Sequence, residues 1–246
     1  MAEIRIGTSG WHYDSWREIF YPKGVGPKRM LACYAETFDT TEINASFYRV
    51  PKPETVKAWH DAVPEGFLFS WKASRYITHN KKLKDAAESV RFIFERMAPL
   101  AEKSGPVLFQ LPPSLKIDRE RLARFLGVLP KGHAHVVEFR NESWYEPEIL
   151  DVLRDHGVGF CISDHEDAPS PWEVTADHVY IRGHGPKGDY KDHYDDAALD
   201  RWARDIRRWR KAGKAVYVYF DNDQKAAAPA DAKRLAERLR PKRRKG

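Results

Sequence analysis

Residues 67–111, FLFSWKASRYITHNKKLKDAAESVRFIFERMAPLAEKSGPVLFQL, decide the fold class, because they predict a strand, a helix and a second strand in succession. Phe67–Lys72 and Val107–Leu111 are short, mostly apolar runs that are typical of buried strands. Between them, Ala86–Lys103 carries apolar side chains at helical spacing, at positions 90, 93, 94, 97 and 100. A strand, a helix and another strand in this order favour a parallel sheet.

Local signals mark both ends of that helix. Asp85 is placed to cap its start, and Glu88 follows three residues later, as in a capping box. We expect Pro99 to kink or shorten the end of the helix, because proline cannot donate a helical hydrogen bond.

The same alternation extends along the whole chain. Eight strand candidates occur about 30 residues apart: Ile4–Gly7, Thr41–Phe47, Phe67–Lys72, Val107–Leu111, Val136–Arg140, Gly159–Ser163, Val179–Gly183 and Ala215–Phe220. Eight such units predict a closed (β/α)₈ barrel of the TIM type, in which the last strand pairs with the first. An open doubly wound sheet is the alternative, but its G-x-G-x-x-G fingerprint does not occur. Residues 164–177 contain two prolines and no convincing helix, so the sixth helix is expected to be weak or irregular.

Composition excludes several classes of protein. Of the 246 residues, 42% are hydrophobic and 32% are charged, which is inconsistent with a disordered chain. No apolar run approaches the roughly 18 residues of a membrane span. The N-terminus lacks the apolar region of a secretory signal, and two cysteines cannot form a disulfide framework. We therefore expect a cytoplasmic protein with no membrane partner; the sequence does not indicate an oligomeric state.

The net charge of +6 is a property of the C-terminus. Residues 233–246 contain eight Lys or Arg and one Glu, so residues 1–232 carry 34 basic and 35 acidic side chains. A broadly basic surface, as expected for nucleic-acid binding, is therefore not predicted. We expect one barrel domain over residues 1–240, followed by a basic tail over 241–246.

Ionisable residues lie inside the predicted strand pattern, near the strand ends where barrel enzymes carry their active sites. Alternation within strands puts Glu42, Asn44 and Ser46 on one face, and likewise Glu138 with Arg140. Buried charges cost several kcal/mol unless they are paired, so such a cluster indicates a functional site. The candidates for catalysis are Glu42, Glu138 and Asp164. The candidates for substrate binding are Trp11, Asn44, Lys72, His79, Gln110, Arg140, Trp144, Arg182, His184, Asp221 and Asn222.

Several sequence blocks together resemble the YecE-like family, also called domain of unknown function 72. They include GTSGW at Gly7–Trp11, TTEINASFYRVP at Thr40–Pro51, FSWKASRYITH at Phe69–His79, VLFQLPPS at Val107–Ser114, EFRNESW at Glu138–Trp144, YIRGHG at Tyr180–Gly185 and YVYFDND at Tyr217–Asp223. The resemblance covers the chain from Ile4 to about Ala232. It implies a TIM-type barrel similar to those of divalent-metal sugar isomerases and apurinic endonucleases, and no particular reaction. The family pattern has Asn where this chain has Asp39 and Asp221.

The candidate residues leave two function classes open. The first is an enzyme, a hydrolase or an isomerase, that acts by acid–base chemistry on a phosphorylated or sugar-containing substrate. The second is a nucleic-acid-binding or DNA-repair-associated protein whose barrel mouth holds a sugar–phosphate backbone. In either class the expected partner is a small anionic or sugar-like ligand or a nucleic acid. A catalytically idle barrel is also compatible with the sequence.

The residue types also indicate which metal, nucleophile or anion site this chain could have. Carboxylates and His184 could bind a divalent metal, but Lys72, Arg140 and Arg182 would repel it. We therefore expect no cofactor, with a divalent metal as the alternative. Cys33 and Cys161 fall in apolar stripes and are expected to be buried rather than nucleophilic. The Arg182–His184 segment, with its flanking glycines, predicts an anion site in which Arg182 and protonated His184 donate.

Overall fold

In the computed structural model, which describes residues 2–240, eight parallel strands form one sheet that curves into a nearly closed barrel. The strands are β1 (Ile4–Thr8), β2 (Thr40–Ile43), β3 (Leu68–Lys72), β4 (Ser104–Gln110), β5 (His135–Glu138), β6 (Gly159–Ser163), β7 (His178–Gly183) and β8 (Ala215–Phe220). The predicted pairing of the last strand with the first is confirmed, from Ile4 opposite Val216 to Thr8 opposite Phe220. A bridge between Ser9 and Glu42 joins β1 to β2 at the remaining seam.

Helices cover the outside of the barrel. They are α1 (Pro27–Ala35), α2 (Ala45–Tyr48), α3 (Pro53–Asp61), α4 (Ala87–Met97), α5 (Arg119–Leu126), α6 (Pro147–Asp155), α7 (Asp196–Lys211) and α8 (Ala227–Leu239). In α7, for example, Leu199, Trp202, Ile206 and Trp209 form one buried stripe. Residues 164–177, which the structure describes in full, connect β6 to β7 without a helix, as the sequence predicts.

The barrel interior is built in two layers. An apolar and aromatic layer comprises Leu108, Val136, Cys161, Tyr180, Tyr217 and Tyr219. The Tyr219 hydroxyl hydrogen-bonds to the hydroxyls of Thr40, at 2.7 Å, and Ser70, at 2.8 Å. Since alternate strand residues share a face, the residues two positions further on form the next layer toward the carboxyl ends. That layer is charged, and it positions the site.

Two local sequence predictions are wrong. Helix α4 begins after Ala86, which makes no side-chain cap, and Asp85 is held at a φ of 44° rather than in a capping conformation. Strand β2 ends at Ile43, because Asn44 takes helical backbone angles and opens α2. Ser46 therefore lies on a helix and donates to the carbonyls of Ile43 and Lys72.

The predicted kink at Pro99 is present, because α4 gives way to a 3₁₀ segment, Ala98–Lys103. At the C-terminus, Arg234 and Arg238 on α8 both pair with Asp196 on α7. The predicted basic tail, 241–246, lies outside the described residues. None of the helices within residues 2–240 is long and apolar enough to cross a membrane.

The seam between β1 and β2 generates a stability prediction. A Cβ on Gly7 would lie 2.3 Å from the carbonyl oxygen of Thr40 and 2.9 Å from the Tyr34 hydroxyl. We expect Gly7→Ala to lower the free energy of unfolding by about 2 kcal/mol or more, because the strands must separate to accept the methyl group. Denaturant unfolding measures this. The matched control is Gly127→Ala at the end of α5, where φ is −65° and the nearest contacts are 3.5 Å away. An equal stability of the two variants would mean that the seam is loosely packed.

Candidate active site at the barrel mouth

The guanidinium group of Arg182 lies at the centre of the charged layer. It projects from β7, is fully buried and contacts three carboxylates. Its Nη2 atom is 2.9 Å from Glu42 and 2.8 Å from Asp221, and its Nη1 atom is 3.1 Å from Glu138. Glu42 from β2, Glu138 from β5 and Asp221 from the end of β8 therefore all contact Arg182. The sequence predicts all four as site residues.

All five N–H groups of Arg182 are used within the protein. Besides the carboxylates, Nη1 donates to Nε2 of His184 at 3.0 Å, and Nη2 donates to the Ser9 hydroxyl at 3.1 Å. The Nε atom donates to Glu42. Arg182 therefore has no free donor for a ligand, and an anion site has to use other cations.

Glu42 and Glu138 are held by further hydrogen bonds. The hydroxyls of Ser9 and Tyr180 donate to the two oxygens of Glu42. Arg140 donates through Nε to Glu138 at 2.6 Å. Burial acts to raise the pKa of Glu138, but Arg140, Arg182 and Lys72 outweigh it and lower this pKa to about 2. Glu138 is therefore a fixed anion and a weak base.

His184 is a hydrogen-bond acceptor at its Nε2 atom. Both Arg140, at 3.1 Å, and Arg182 present N–H groups to it, and a guanidinium can only donate. The proton must therefore be on Nδ1, which faces Asp164 at 3.3 Å. Burial and the two arginines hold the pKa of His184 well below its usual range. The expectation that protonated His184 donates to an anion is wrong.

Asp164 supports His184 from the end of β6. Its Oδ1 atom accepts the backbone N–H of His184 at 2.7 Å, and its Oδ2 atom accepts the Tyr194 hydroxyl. Burial raises the pKa of Asp164 to about 6, although these hydrogen bonds oppose the shift. Asp164 thus contacts the network through His184 and not through Arg182.

Lys72 and Asp221 are the most exposed of the charged groups that surround Arg182, with 8% and 9% of their surface exposed. Burial and the neighbouring Arg182 lower the pKa of Lys72 to about 8. Burial raises the pKa of Asp221 to about 7, and Glu42 adds to this shift while Arg182 opposes it. Both groups therefore change protonation state near neutral pH.

The balance of charges in the network explains the shifted pKa values of Lys72 and Asp221. Arg140 and Arg182 balance Glu42 and Glu138, so these four groups have no net charge. Asp221 is a third carboxylate on Arg182, and Lys72 is a third cation beside Glu42 and Glu138. Each is a surplus charge in a buried setting, which favours its neutral form.

Other sequence-predicted site residues lie at the rim. His79, on a π-helical turn, packs its ring 5.0 Å from that of Phe47. Burial and the adjacent Lys72 lower the pKa of His79 to about 4. Gln110 ends β4 opposite Glu138, and Asn44 has a buried Oδ1 atom with no hydrogen-bond partner within residues 2–240.

Three predicted binding residues do not join the network. Trp11 packs edge-on against Trp59, with ring centroids 5.8 Å apart. Trp144 is fully buried, stacks on Phe139 and donates to a backbone carbonyl. Asn222 donates to Asp231 at 2.9 Å. All three have packing or bracing roles in the described part of the chain.

Sequence reasoning missed the hydroxyl groups of the network, on Ser9, Ser163, Tyr180 and Tyr194. Tyr180 shares the inward face of β7 with Arg182, so strand alternation already placed it correctly without suggesting a role. Tyr194 lies in a loop 30 residues after Asp164, and no local pattern indicates that the two meet.

The carboxylates do not form a metal site. Within residues 2–240, no three His, Cys, Asp or Glu residues are arranged to hold a metal ion. Glu42, Glu138 and Asp221 converge on Arg182, whose positive charge occupies the position that a cation would take. Their arrangement does not fit a divalent ion.

The chain matches the family model described as "Protein of unknown function DUF72" over residues 5–245. It is also 30% identical to the UPF0759 protein YecE of Escherichia coli K12, over 96% of this chain and 93% of that protein. The chain belongs to the DUF72 family. A second relative, the UPF0759 protein YunF of Bacillus subtilis strain 168, is 25% identical over 96% of this chain and 94% of that protein.

Solved DUF72 structures share this architecture. A DUF72 family protein from Thermotoga maritima superposes with a TM-score of 0.87 at 27% identity, covering 96% of this chain and 99% of that one. One from Enterococcus faecalis V583 superposes with a TM-score of 0.83 at 23% identity, covering 98% and 99%. The DUF72 barrel is thus shown for this chain, and the chemistry of its mouth follows from its own residues.

The raised pKa of Asp221 predicts how the stability of this DUF72 chain depends on pH. A carboxyl group with a raised pKa in the folded state stabilises the fold at low pH and loses that contribution as the pH rises through about 7. Asp221→Asn removes the ionisation. We expect the variant to be more stable than the wild type by about 1–3 kcal/mol at pH 8, with a smaller gap at pH 5.

Denaturant unfolding at several pH values measures this gap. The control is Asp155→Asn on the exposed end of α6, where no pH-dependent gap is expected. A variant that is less stable than the wild type at pH 8 would show that Arg182 requires the third negative charge.

Proposed function

We propose that this protein is an enzyme whose active site is the carboxyl-terminal mouth of the barrel, and that it acts by proton transfer on a small phosphorylated or sugar-containing substrate. One observation carries the proposal. The buried groups of the network satisfy one another, whereas Lys72 and Asp221, at its solvent-facing edge, both titrate near neutral pH. A catalytic acid or base works best with its pKa near the working pH.

The residues take different roles in this proposal. Lys72 and Asp221 exchange protons with the substrate. Glu42 and Glu138, which the sequence suggested as bases, are fully buried and hydrogen-bonded on both oxygens, so we assign them to holding Arg182 and Arg140. Asp164 holds His184 in the tautomer that accepts from the arginines.

Arg140 and Lys72 are the cations available for an anionic substrate group. Arg140 donates to Glu138, to His184 and, at 3.4 Å, to the Tyr190 hydroxyl, which leaves two of its five N–H groups without a partner in residues 2–240. A guanidinium edge suits phosphate or carboxylate oxygens. The proton-exchanging pair suits proton abstraction next to a carbonyl group, so we favour an isomerase over a hydrolase.

Proton abstraction can be measured without knowing the final product. The protein is incubated in D₂O with a panel of phosphorylated aldoses, ketoses and sugar acids, and NMR detects deuterium entering next to the carbonyl. We expect exchange with the wild type and a loss of at least about 100-fold in Lys72→Met and Lys72→Arg, since arginine keeps the charge but does not become a neutral base near neutral pH.

Lys57→Met, on the exposed face of α3, is the matched control and should react like the wild type. Thermal unfolding checks that each variant is folded. Full activity in Lys72→Arg would contradict proton transfer by Lys72, and an inert wild type across the panel would contradict the proposed function.

One surface feature favours nucleic-acid binding as a second candidate function. A cavity of about 440 Å³ beside the third strand–helix loop is lined by Tyr76 and Phe92, which are 52% and 45% exposed, and by Lys81. Lys81 lies over the Tyr76 ring, and Arg96 lies 4.9 Å from the centre of the Phe92 ring. Exposed rings beside cations are suited to stacking unpaired bases along a phosphate backbone.

Salt dependence tests this second candidate. Binding of a fluorescent single-stranded oligonucleotide should weaken steeply with salt and be lost in Tyr76→Ala/Phe92→Ala. Ile19→Ala, which removes an exposed apolar side chain elsewhere, should bind like the wild type. Binding that is insensitive to the double substitution would exclude this groove.

A further inference from the structure

We propose that Lys72 is a nucleophilic amine that forms a Schiff base with an aldehyde or ketone group of the substrate. This inference rests on the proposed function and names its substrate class. Lys72 ends β3 two residues after Ser70, whose hydroxyl contacts Tyr219 inside the barrel, so the lysine faces the mouth. Its Nζ atom lies 4.1 Å from the centre of the Phe47 ring and has no hydrogen-bond acceptor within residues 2–240.

A second buried lysine shows what a structural lysine looks like in this chain. Lys103 is 6% exposed, close to the value for Lys72, but its ammonium donates to the carbonyls of His60, at 2.7 Å, and Val63, at 2.9 Å. Two carbonyl oxygens thus satisfy the amine group of Lys103. Lys72 has only an aromatic face, which is a weaker partner for an ammonium group and leaves its lone pair accessible after deprotonation.

The neighbouring acids do not serve as acceptors for Lys72, because the arginines already bind them. The charged and titratable groups that face Lys72 come from every side of the mouth: Glu42 from β2, His79 from the π-helical turn, Glu138 from β5, Arg182 from β7 and Asp221 from the end of β8. Burial and Arg182 outweigh the acids, so roughly a tenth of Lys72 is neutral at pH 7.

The covalent step balances within this site. The nitrogen lone pair attacks the carbonyl carbon, a C–N bond forms, and the carbonyl electron pair moves to oxygen. The nitrogen then passes one of its protons to that oxygen, which gives a neutral carbinolamine. A proton from solvent adds to the hydroxyl group, water leaves, and the nitrogen lone pair forms the C=N bond. No oxidant, reductant or metal is needed.

The iminium then makes the neighbouring C–H bond more acidic, which links the Schiff base to the proton transfer proposed above. Arg140 beside Glu138 offers its two free N–H groups to an anionic substituent of the same substrate. The inferred substrate is therefore a small aldehyde or ketone that carries a phosphate or a carboxylate. A neutral carbonyl compound should react more slowly, because it lacks this contact.

Reductive trapping on the wild-type protein tests the inference directly. Glycolaldehyde phosphate, glyoxylate and neutral glycolaldehyde are each incubated at pH 7 with cyanoborohydride, which reduces any C=N bond to a stable amine. Peptide mapping then locates the adducts. We expect Lys72 to be labelled at least about tenfold faster than the exposed lysine Lys57, because far more of it is neutral. The two anionic compounds should label it faster than glycolaldehyde.

Asp221→Asn provides a second measurement. The negative charge of Asp221 raises the pKa of Lys72, so its removal should increase labelling at pH 7 severalfold. Labelling of Lys72 at the rate of surface lysines overturns the Schiff base. Deuterium exchange that depends on Lys72 without any trapping would leave the proposed function intact and reduce Lys72 to a proton donor, whereas trapping without exchange would contradict the proposed function alone.

Discussion

The buried charge of Arg182 is the constraint on which the rest of the mouth depends. A guanidinium removed from water costs several kcal/mol unless anions and hydrogen-bond acceptors surround it. Glu42, Glu138 and Asp221 supply the anions from three other strands, and Ser9 and His184 supply further acceptors. Removing Glu42 or Glu138 would leave a buried charge uncompensated, so these two residues stabilise the relative positions of the strands as well as the site.

The same constraint shifts the pKa values of Lys72 and Asp221. Glu42 and Glu138 suffice to balance Arg140 and Arg182, so Asp221 adds a negative charge that the network does not require. Lys72 is the only remaining cation of the described mouth that offsets it. With an amide at position 221, Lys72 would lack this partner and would lose its proton more readily. Asp221 thus adjusts the protonation of Lys72 in this chain.

The sequence predicts the barrel well, because eight strand patterns recur about 30 residues apart and helical patterns lie between most of them. Strand alternation also places Glu138 and Arg182 on the inner face. It fails at β2, since Asn44 turns helical where the residue types alone continue the strand pattern. Strand alternation also does not distinguish Lys72 from Lys103. The two lysines differ in that Lys103 donates to carbonyl oxygens that are distant in the sequence.

For a related reason, the sequence does not show that the aromatic residues Trp11 and Trp144 lie outside the network. Trp11 and Trp144 are near strand ends, and a large ring at such a position packs equally well inward or against the helices. The distinction depends on partners such as Trp59 and Phe139, which are distant or unremarkable in the sequence. The positions of buried charged residues are easier to predict, because a buried charge is stable only beside an opposite charge.

The aromatic layer below the charges affects their protonation. Tyr180, Tyr217 and Tyr219 fill the barrel interior below Arg182. Their low polarity also strengthens the electrostatic interactions above them and disfavours unbalanced charge, which moves Lys72 and Asp221 toward their neutral forms. Burial above the aromatic layer and the charge of Arg182 therefore act in the same direction on the pKa of Lys72, but in opposite directions on the pKa of Asp221.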